Sequence, residues 1–362
     1  MKMYSTSEQY FKETYSLYSP DDSEDMTNLQ CGQHKFDFEY RLLPDLPSSF
    51  EGEYGYVRFS IKCVISKPWK YDHSTKAAFT VLSKLNLNTT LGAQEPIYGT
   101  DIATDAFCCY CDQGAIFADL SLERRGYVPG EAIRVHARIR NSTQYLVNSQ
   151  VQLCQIISFH AAGKAKECKK IVNSIKHELT DIDETDTWGG DKLLIPPVPP
   201  SELLGCNIID IKYYVLLKSS ADDSSTIEAT IPLDILIGTV PLRSAVQAYR
   251  QQRLNLSEVA NGVPSSISGG IPVSVSGLDR KDGPIVTPPK SISTSSFSDE
   301  QLLSPPSYET CLFGRVNIRE EDDTDFTRGA MEFAPMYAFY DWERNKVQNS
   351  CQKQDKDDTN FV

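Results

Sequence analysis

The stretch 57–65, Val-Arg-Phe-Ser-Ile-Lys-Cys-Val-Ile, carries the clearest alternating pattern of this chain. Apolar residues occupy every second position, and Arg58, Ser60 and Lys62 stand between the first of them. Alternation with a period of two is typical of a β-strand that buries one face and exposes the other to water. The stretch therefore predicts a strand whose buried face carries Val57, Phe59, Ile61, Cys63 and Ile65.

Three further stretches, at 133–139, 209–217 and 227–235, repeat this alternation. Turn-forming pairs such as Pro129-Gly130 lie between the alternating stretches. Helical periodicity is nearly absent, apart from a short helix predicted at 244–254. Many short antiparallel strands, each with one solvent-exposed face, favour β-sandwiches over a parallel sheet covered by helices. We predict an all-β protein.

Composition limits the classes of function. The chain has 362 residues, which suggests two domains or one domain with a long appendage. A net charge of −13 argues against a nucleic-acid partner, although a local basic patch remains compatible with it. Neither a run of apolar residues long enough for a transmembrane segment nor a signal-peptide core is found, so we expect a cytoplasmic protein whose ten cysteines are reduced.

The composition changes after Pro241. Residues 257–307 are rich in Ser, Pro and Gly and contain almost no aromatic residues, so they bury too little apolar surface to offset the entropy of ordering. We predict that this tail is disordered and that the acidic run Glu320–Asp325 continues it. The aromatic cluster at 333–342 is the one tail segment expected to fold back or to bind a partner.

A short motif in the tail, Pro305-Pro306-Ser307-Tyr308, predicts a protein-binding site. WW domains bind polyproline-II segments because that conformation is extended, solvated and already low in entropy. Pro305 and Pro306 would dock in an aromatic groove, and Tyr308 would fill the adjoining pocket. An inert tail is the alternative interpretation.

Several segments together resemble the α-arrestins, the arrestin-domain-containing proteins. Each is weak alone, but they share the order and spacing of that family: Leu-Pro-Ser-Ser-Phe-Glu-Gly at 46–52, Gly55–Arg58, Arg125–Glu131, Ile195–Ser201 and Pro305–Tyr308. The resemblance implies two tandem arrestin-like immunoglobulin-type β-sandwiches followed by a largely disordered tail.

The resemblance also implies the domain boundaries. We expect an N-terminal arrestin-like domain at 1–112, a C-terminal arrestin-like domain at 113–243 and the tail at 244–362. The first domain is expected to be incomplete, because the opening strands of the family's N-terminal sandwich find no counterpart before residue 30.

The function implied by the resemblance is that of an adaptor without enzymatic activity or cofactor. It would recruit WW-domain HECT-type ubiquitin ligases to membrane receptors or transporters, for ubiquitination, endocytosis and protein transport. Peripheral recruitment to the plasma membrane and endosomes would follow. Two alternatives stay open: an endosomal sorting scaffold of the retromer-subunit type, and a redox regulator that binds thioredoxin.

Two weaker sites follow from the same resemblance. Pro335 and Tyr337 stand where many members carry a second Pro-Pro-x-Tyr motif, but Ala334 replaces its first proline, so we expect weak or no WW binding. Cys206 stands where the thioredoxin-interacting members carry a redox cysteine. A thiol reacts only when it is exposed and partly ionised, so a small buried cysteine is the competing interpretation.

The remaining candidates do not indicate a metal or catalytic site. Cys108, Cys109 and Cys111 invite a zinc interpretation, but no second Cys or His pair follows at suitable spacing, and a structural strand or interdomain connector is favoured. Lipidation of these cysteines stays open. The five histidines show no nucleophile–base spacing, and no hydrolase, phosphate-loop or metalloprotease motif is present in the sequence.

Overall fold

The structure is a computed structural model of the 362-residue chain. It describes residues 4–18, 31–67, 69–104, 114–222, 227–260, 306–320 and 322–342, with side chains excluded at 253–260.

Eighteen strands and one α-helix are found in the described residues. In chain order they are β1 (Phe50–Glu51), β2 (Tyr56–Val57), β3 (Phe59–Ile65), β4 (His73–Phe79), β5 (Ile97–Thr104), β6 (Ala115–Leu122), β7 (Gly126–Tyr127), β8 (Ala132–Asn141), β9 (Val147–Ala161), β10 (Lys164–Lys176), β11 (Thr185–Leu194), β12 (Ile209–Ala221), β13 (Glu228–Ile237), α1 (Arg243–Ala260), β14 (Ser307–Thr310), β15 (Val316–Asn317), β16 (Thr327–Ala330), β17 (Glu332–Phe333) and β18 (Met336–Phe339).

Two sheets form the second sandwich. One has the strand order β10-β9-β12-β13-β7 and the other the order β11-β8-β6-β5. The alternation predicted at 133–139 and 209–217 is confirmed, because these positions bury their apolar side chains in one shared core. The all-β, tandem-sandwich prediction is therefore confirmed.

Strand β5 lies in the sheet of the second sandwich. It pairs antiparallel with β6 along its whole length, from Ile97 opposite Leu122 to Thr104 opposite Ala115. The sequence-based boundary at 112 separated these two strands, but the structure joins them in one sheet.

The first sandwich is represented by a three-stranded sheet, β16-β4-β3, and by the β1-β2 ribbon. Strand β3 forms where the alternation of 57–65 predicts one, but its predicted buried face is wrong beyond Phe59. Ile61 is 48% exposed and Ile65 is 55% exposed. In the described residues no second sheet covers this face, so the alternation has no core to fill there.

Part of the tail is ordered, contrary to the prediction for the acidic run. Strand β16 joins β4 in parallel, with Thr327 opposite Ser74 and Ala330 opposite Ala77. Gly329 has φ +115°, and a Cβ there would collide with the Lys76 backbone, so only glycine lets these strands approach so closely. Backbone pairing and ion pairs supply the stability that the apolar content of this segment cannot.

The helix α1 belongs to a second unit of the chain, of which the structure describes only residues 243–260. It extends well beyond the short helix predicted at 244–254. Among the described residues, no helix has both the length and the apolar content that a transmembrane segment requires.

Candidate functional site: the tail ribbon

The two Pro-x-Tyr segments of the tail pair with each other. Strand β14, which contains Tyr308, runs antiparallel to β18, with Tyr308 opposite Ala338 and Thr310 opposite Met336. We call this β14-β18 pair the tail ribbon. Pro305 lies outside the described residues, and Pro306 is half-buried at the start of the ribbon.

Hydrogen bonds at its end fix the geometry of the ribbon. The Cys311 N–H donates to the Pro335 carbonyl oxygen at 2.9 Å, which makes the neighbouring Thr310–Met336 pair a non-hydrogen-bonded one. By alternation, Tyr308 and Ala338 also form a non-hydrogen-bonded pair, in which side chains lie closest together. Tyr308 is 58% exposed, so its ring is partly covered and partly open to solvent.

Strand β18 anchors the tail ribbon to the body. Tyr337 is buried, and its hydroxyl donates to the Ser49 carbonyl oxygen at 2.9 Å. Burial, with smaller contributions from Cys311 and Tyr213, raises the pKa of Tyr337 well above its usual value. The structure thus places the tyrosine of the degenerate second motif inside the protein, where a WW domain cannot reach it.

Tyr340 makes the second anchor, at the turn that opens the C-terminal domain. Its N–H donates to the Pro129 carbonyl oxygen at 3.0 Å, and its hydroxyl donates to the Thr239 carbonyl oxygen at 2.8 Å. Burial, followed by the nearby Tyr308 hydroxyl, raises the pKa of Tyr340 to about 12. Gly130 has φ +94°, and a Cβ there would collide with the Tyr340 backbone.

Electrostatic contacts hold the acidic run of the tail against β3 and β4. Lys76 Nζ lies 2.6 Å from Glu320 and 3.3 Å from Asp323, and Lys62 Nζ lies 3.0 Å from Asp323. Burial alone would raise the pKa of the Asp323 carboxyl, but the Glu320 N–H and the two lysines outweigh it and lower this pKa to about 2. The carboxylates are thus paired with lysines, and nothing further indicates a metal at this cluster.

The Cys206 thiol is only partly accessible to solvent. The side chain is half-buried and lies close to the Tyr10 hydroxyl, which hydrogen-bonds the Glu8 carboxylate at 3.3 Å. Burial, followed by this thiol contact, raises the pKa of Tyr10. None of the six cysteines in the described part of the chain forms a disulfide. Cys108, Cys109 and Cys111 lie outside the described residues.

A cluster of polar and aromatic side chains around His177 lies between β10 and β11, the edge strands of the two sheets of the second sandwich. His177 follows β10, and its Nδ1 lies 2.9 Å from Asp186 and its Nε2 3.4 Å from Asp191. The ring stacks on Trp188 at 3.7 Å between centroids. Burial would lower the pKa of His177, but Asp186, followed by Asp191, raises it. A shallow cavity of about 460 Å³ opens here, lined by His177, Thr187, Gly189, Gly190, Asp191 and Lys192.

The sequence analysis found no nucleophile–base spacing among the five histidines and did not identify this cluster. Its two carboxylate partners lie 9 and 14 positions further along the chain, and no short motif joins them. Both ring nitrogens face carboxylates, an arrangement that fixes the ring rather than activating a nucleophile.

Comparisons with known proteins agree with this architecture. The profile of the family "Arrestin (or S-antigen), N-terminal domain" matches residues 1–88, and that of "Arrestin (or S-antigen), C-terminal domain" matches residues 112–242. Together the two profiles cover more than half of the chain.

The curated relatives agree with the profiles. Arrestin domain-containing protein 4 of Homo sapiens is 31% identical over 240 residues, which cover 64% of this chain and 55% of the relative. The same protein of Mus musculus gives the same identity and coverage. The alignment thus spans about half the length of these two relatives. Arrestin domain-containing protein 17 of Caenorhabditis elegans is 26% identical over 375 residues, covering 93% of this chain and 84% of the relative. With both arrestin domains matched in order, the chain belongs to the arrestin-domain-containing, or α-arrestin, family.

Proposed function

We propose that this protein is an adaptor that brings WW-domain HECT-type ubiquitin ligases to membrane receptors or transporters. The Pro305-Pro306-Ser307-Tyr308 motif docks the ligase, and the arrestin-like body contacts the cargo. Ubiquitination, endocytosis and transport of the cargo follow. The protein carries out no chemistry itself and works in the cytoplasm, with peripheral recruitment to the plasma membrane and endosomes.

The exposure of Tyr308 is the observation that carries the proposal. A WW domain needs a tyrosine ring that it can enclose, and the Tyr308 residue is 58% exposed while Tyr337 is only 2% exposed. The family to which the chain belongs supplies a reason for the motif to be present. Tyr308 is therefore the anchor, and Tyr337 has a structural role.

Docking competes with the tail ribbon. A WW groove has to surround Tyr308, whereas β18 already lies beside it at the strand spacing of about 4.8 Å. Only four residue pairs hold β14 on β18. The motif therefore binds from the fraction of molecules in which β14 has separated, and the apparent affinity falls by that fraction.

The two alternatives receive less support. A retromer-type scaffold has no use for a WW-binding motif. A thioredoxin-binding regulator needs an accessible thiolate, whereas Cys206 is half-buried beside Tyr10. A mixed disulfide with thioredoxin that disappears in Cys206→Ser would favour that alternative.

Affinity purification from cells tests the proposal. Wild-type protein and Tyr308→Ala are purified in parallel with their partners, with Ser307→Ala as a control at the variable position of the motif. We expect WW-domain ligases with wild type and with the control, and their loss with Tyr308→Ala. Equal ligase recovery in all three would overturn the docking site, and cargo retained by Tyr308→Ala would assign cargo binding to the body.

A further inference from the structure

The outer face of the β11-β8-β6-β5 sheet carries a row of cations. On β8, Arg134, His136, Arg138 and Arg140 stand at alternate positions, and the three arginines are exposed. Lys192 on β11 lies directly opposite Arg134. Residues directly opposite each other in a ladder share a face of the sheet, so all five side chains stand on the same side.

The charge of this cationic face is opposite to that of the whole protein, which carries −13. Two acidic side chains share the face: Asp119 is opposite Arg138, and Glu123 lies 3.8 Å from His136. Within the described part of the chain, the three arginines and Lys192 make no ion pair at 4.0 Å or less. Four permanent cations therefore face solvent without a bound counterion from the protein.

The same face has an apolar margin on β5. Tyr98 is 81% exposed and Ile102 is 62% exposed. The pairing places Tyr98 opposite Ser121 and Ile102 opposite Phe117. Ser121 and Phe117 in turn lie opposite His136 and Arg140 of β8, so Tyr98 and Ile102 share the face of the cations. The Arg140 guanidinium lies 4.2 Å over the Phe117 ring, which links the cationic and apolar parts.

The dimensions of the face indicate what it can bind. The span from Arg134 to Arg140 is roughly 20 Å along β8, and four strands cover roughly 14 Å across. One extended peptide lying along β8 is about one strand wide and would contact the arginines but leave the β5 margin, two strands away, uncovered. A lipid surface can, since anionic headgroups attract the cations while Tyr and Ile enter the interfacial region.

We propose that this face binds membranes that contain anionic phospholipids, with the arginines and Lys192 at the headgroups and Tyr98 and Ile102 in the interface. The proposal rests on the membrane-peripheral part of the function proposed above and does not involve the WW-binding motif. It orients the second sandwich with β8 against the bilayer.

Vesicle co-sedimentation of the full chain tests this proposal. The vesicles contain phosphatidylcholine alone or with phosphatidylserine added. The test variant is Arg134→Gln/Arg138→Gln, and the matched control is Lys169→Gln/Lys176→Gln, which removes the same charge from exposed positions of β10 in the opposite sheet. We expect wild type to bind only the vesicles that contain phosphatidylserine. Its partition coefficient should fall roughly thirtyfold in the test variant, which loses two arginines, but little in the control.

A second variant tests the apolar margin. Tyr98→Ser/Ile102→Ser should lower binding to anionic vesicles even at high salt, where electrostatic attraction is screened. The proposal would be overturned if the β10 control lost as much vesicle binding as the arginine variant, or if wild type bound neutral vesicles. It would also be overturned if the protein captured an acidic peptide but bound no vesicles. WW-domain binding of the arginine variant, expected to match wild type, separates a failure here from a failure of the docking motif.

Discussion

The Tyr337 hydroxyl donates a hydrogen bond of 2.9 Å to the carbonyl oxygen of Ser49, 288 positions earlier in the chain. This bond and the burial of the ring fasten the tail ribbon to the N-terminal domain. The same ribbon holds Tyr308 at the surface, so one tail segment combines a structural tyrosine and a proposed ligase-docking tyrosine.

Removing the Tyr337 hydroxyl should destabilise the fold modestly. Tyr337→Phe loses one buried hydrogen bond and leaves the Ser49 carbonyl without this partner, which costs about 1 kcal/mol in the free energy of unfolding. Tyr337→Ala also removes a buried ring and should cost roughly 3–5 kcal/mol. Denaturant unfolding measures both, with the exposed Tyr308→Phe as the control expected to change stability little. Wild-type stability in Tyr337→Ala would show that β18 is not docked.

A disulfide across the tail ribbon should block docking. Thr310 and Met336 form a non-hydrogen-bonded pair with Cα atoms about 4.5 Å apart, within the range that a disulfide bridges. Thr310→Cys/Met336→Cys leaves the motif itself unchanged. We expect the oxidised protein to bind an isolated WW domain more weakly than the same protein after reduction.

The single variants serve as controls for that cross-link, since neither forms the bridge and neither should respond to oxidation. If the oxidised and the reduced double variant bound the WW domain with equal affinity, the WW domain would be binding the motif without separating β14 from β18.

The Asp323 carboxylate should make stability depend on acid pH. Its pKa is lowered to about 2, below the usual value of about 3.9 in an unfolded chain. The folded state therefore gains stability from this group above pH 4, and loses it as the pH falls through the interval between the two values. Asp323→Asn should show a smaller loss of stability between pH 5 and pH 2 than wild type. If Asp323→Asn lost as much stability as wild type between pH 5 and pH 2, the assigned role of Lys62 and Lys76 would be contradicted.

His177 should make stability depend on pH in the opposite direction from Asp323, because its contribution is lost as the pH rises. Its pKa is raised by Asp186 and Asp191, so protonated His177 stabilises the fold fully below about pH 6.5, its usual value, and the contribution is lost as the pH rises through the higher folded value. NMR titration of the ring should give a pKa above the usual histidine value of about 6.5. A value at or below the usual one would contradict the Asp–His–Asp arrangement.

The sequence predicted the second sandwich well and the first one less well. The alternation at 133–139 is matched by burial because two complete sheets enclose a core there. At Ile61 and Ile65 the same alternation predicted burial that does not occur, since an alternating pattern cannot tell whether a second sheet is present.

The tail shows a different limit of sequence reasoning. Thr327–Ala330 has neither alternation nor apolar content, and its stability comes from pairing with β4 about 250 positions earlier, which local patterns do not encode. The aromatic cluster at 333–342 was the only signal of docking, and Phe333, Tyr337 and Tyr340 are indeed buried. The Tyr308 motif was readable from sequence, but its pairing with β18 was not.

The docking role of Tyr308 is tested by calorimetry of the full chain with an isolated WW domain. Wild type and Ser307→Ala should bind with micromolar affinity, about −8 kcal/mol. Tyr308→Ala should weaken binding by roughly 1–3 kcal/mol, because it empties the pocket of a central aromatic anchor. Equal affinity of Tyr308→Ala and wild type would contradict the account, since the WW domain would then be binding elsewhere on the protein.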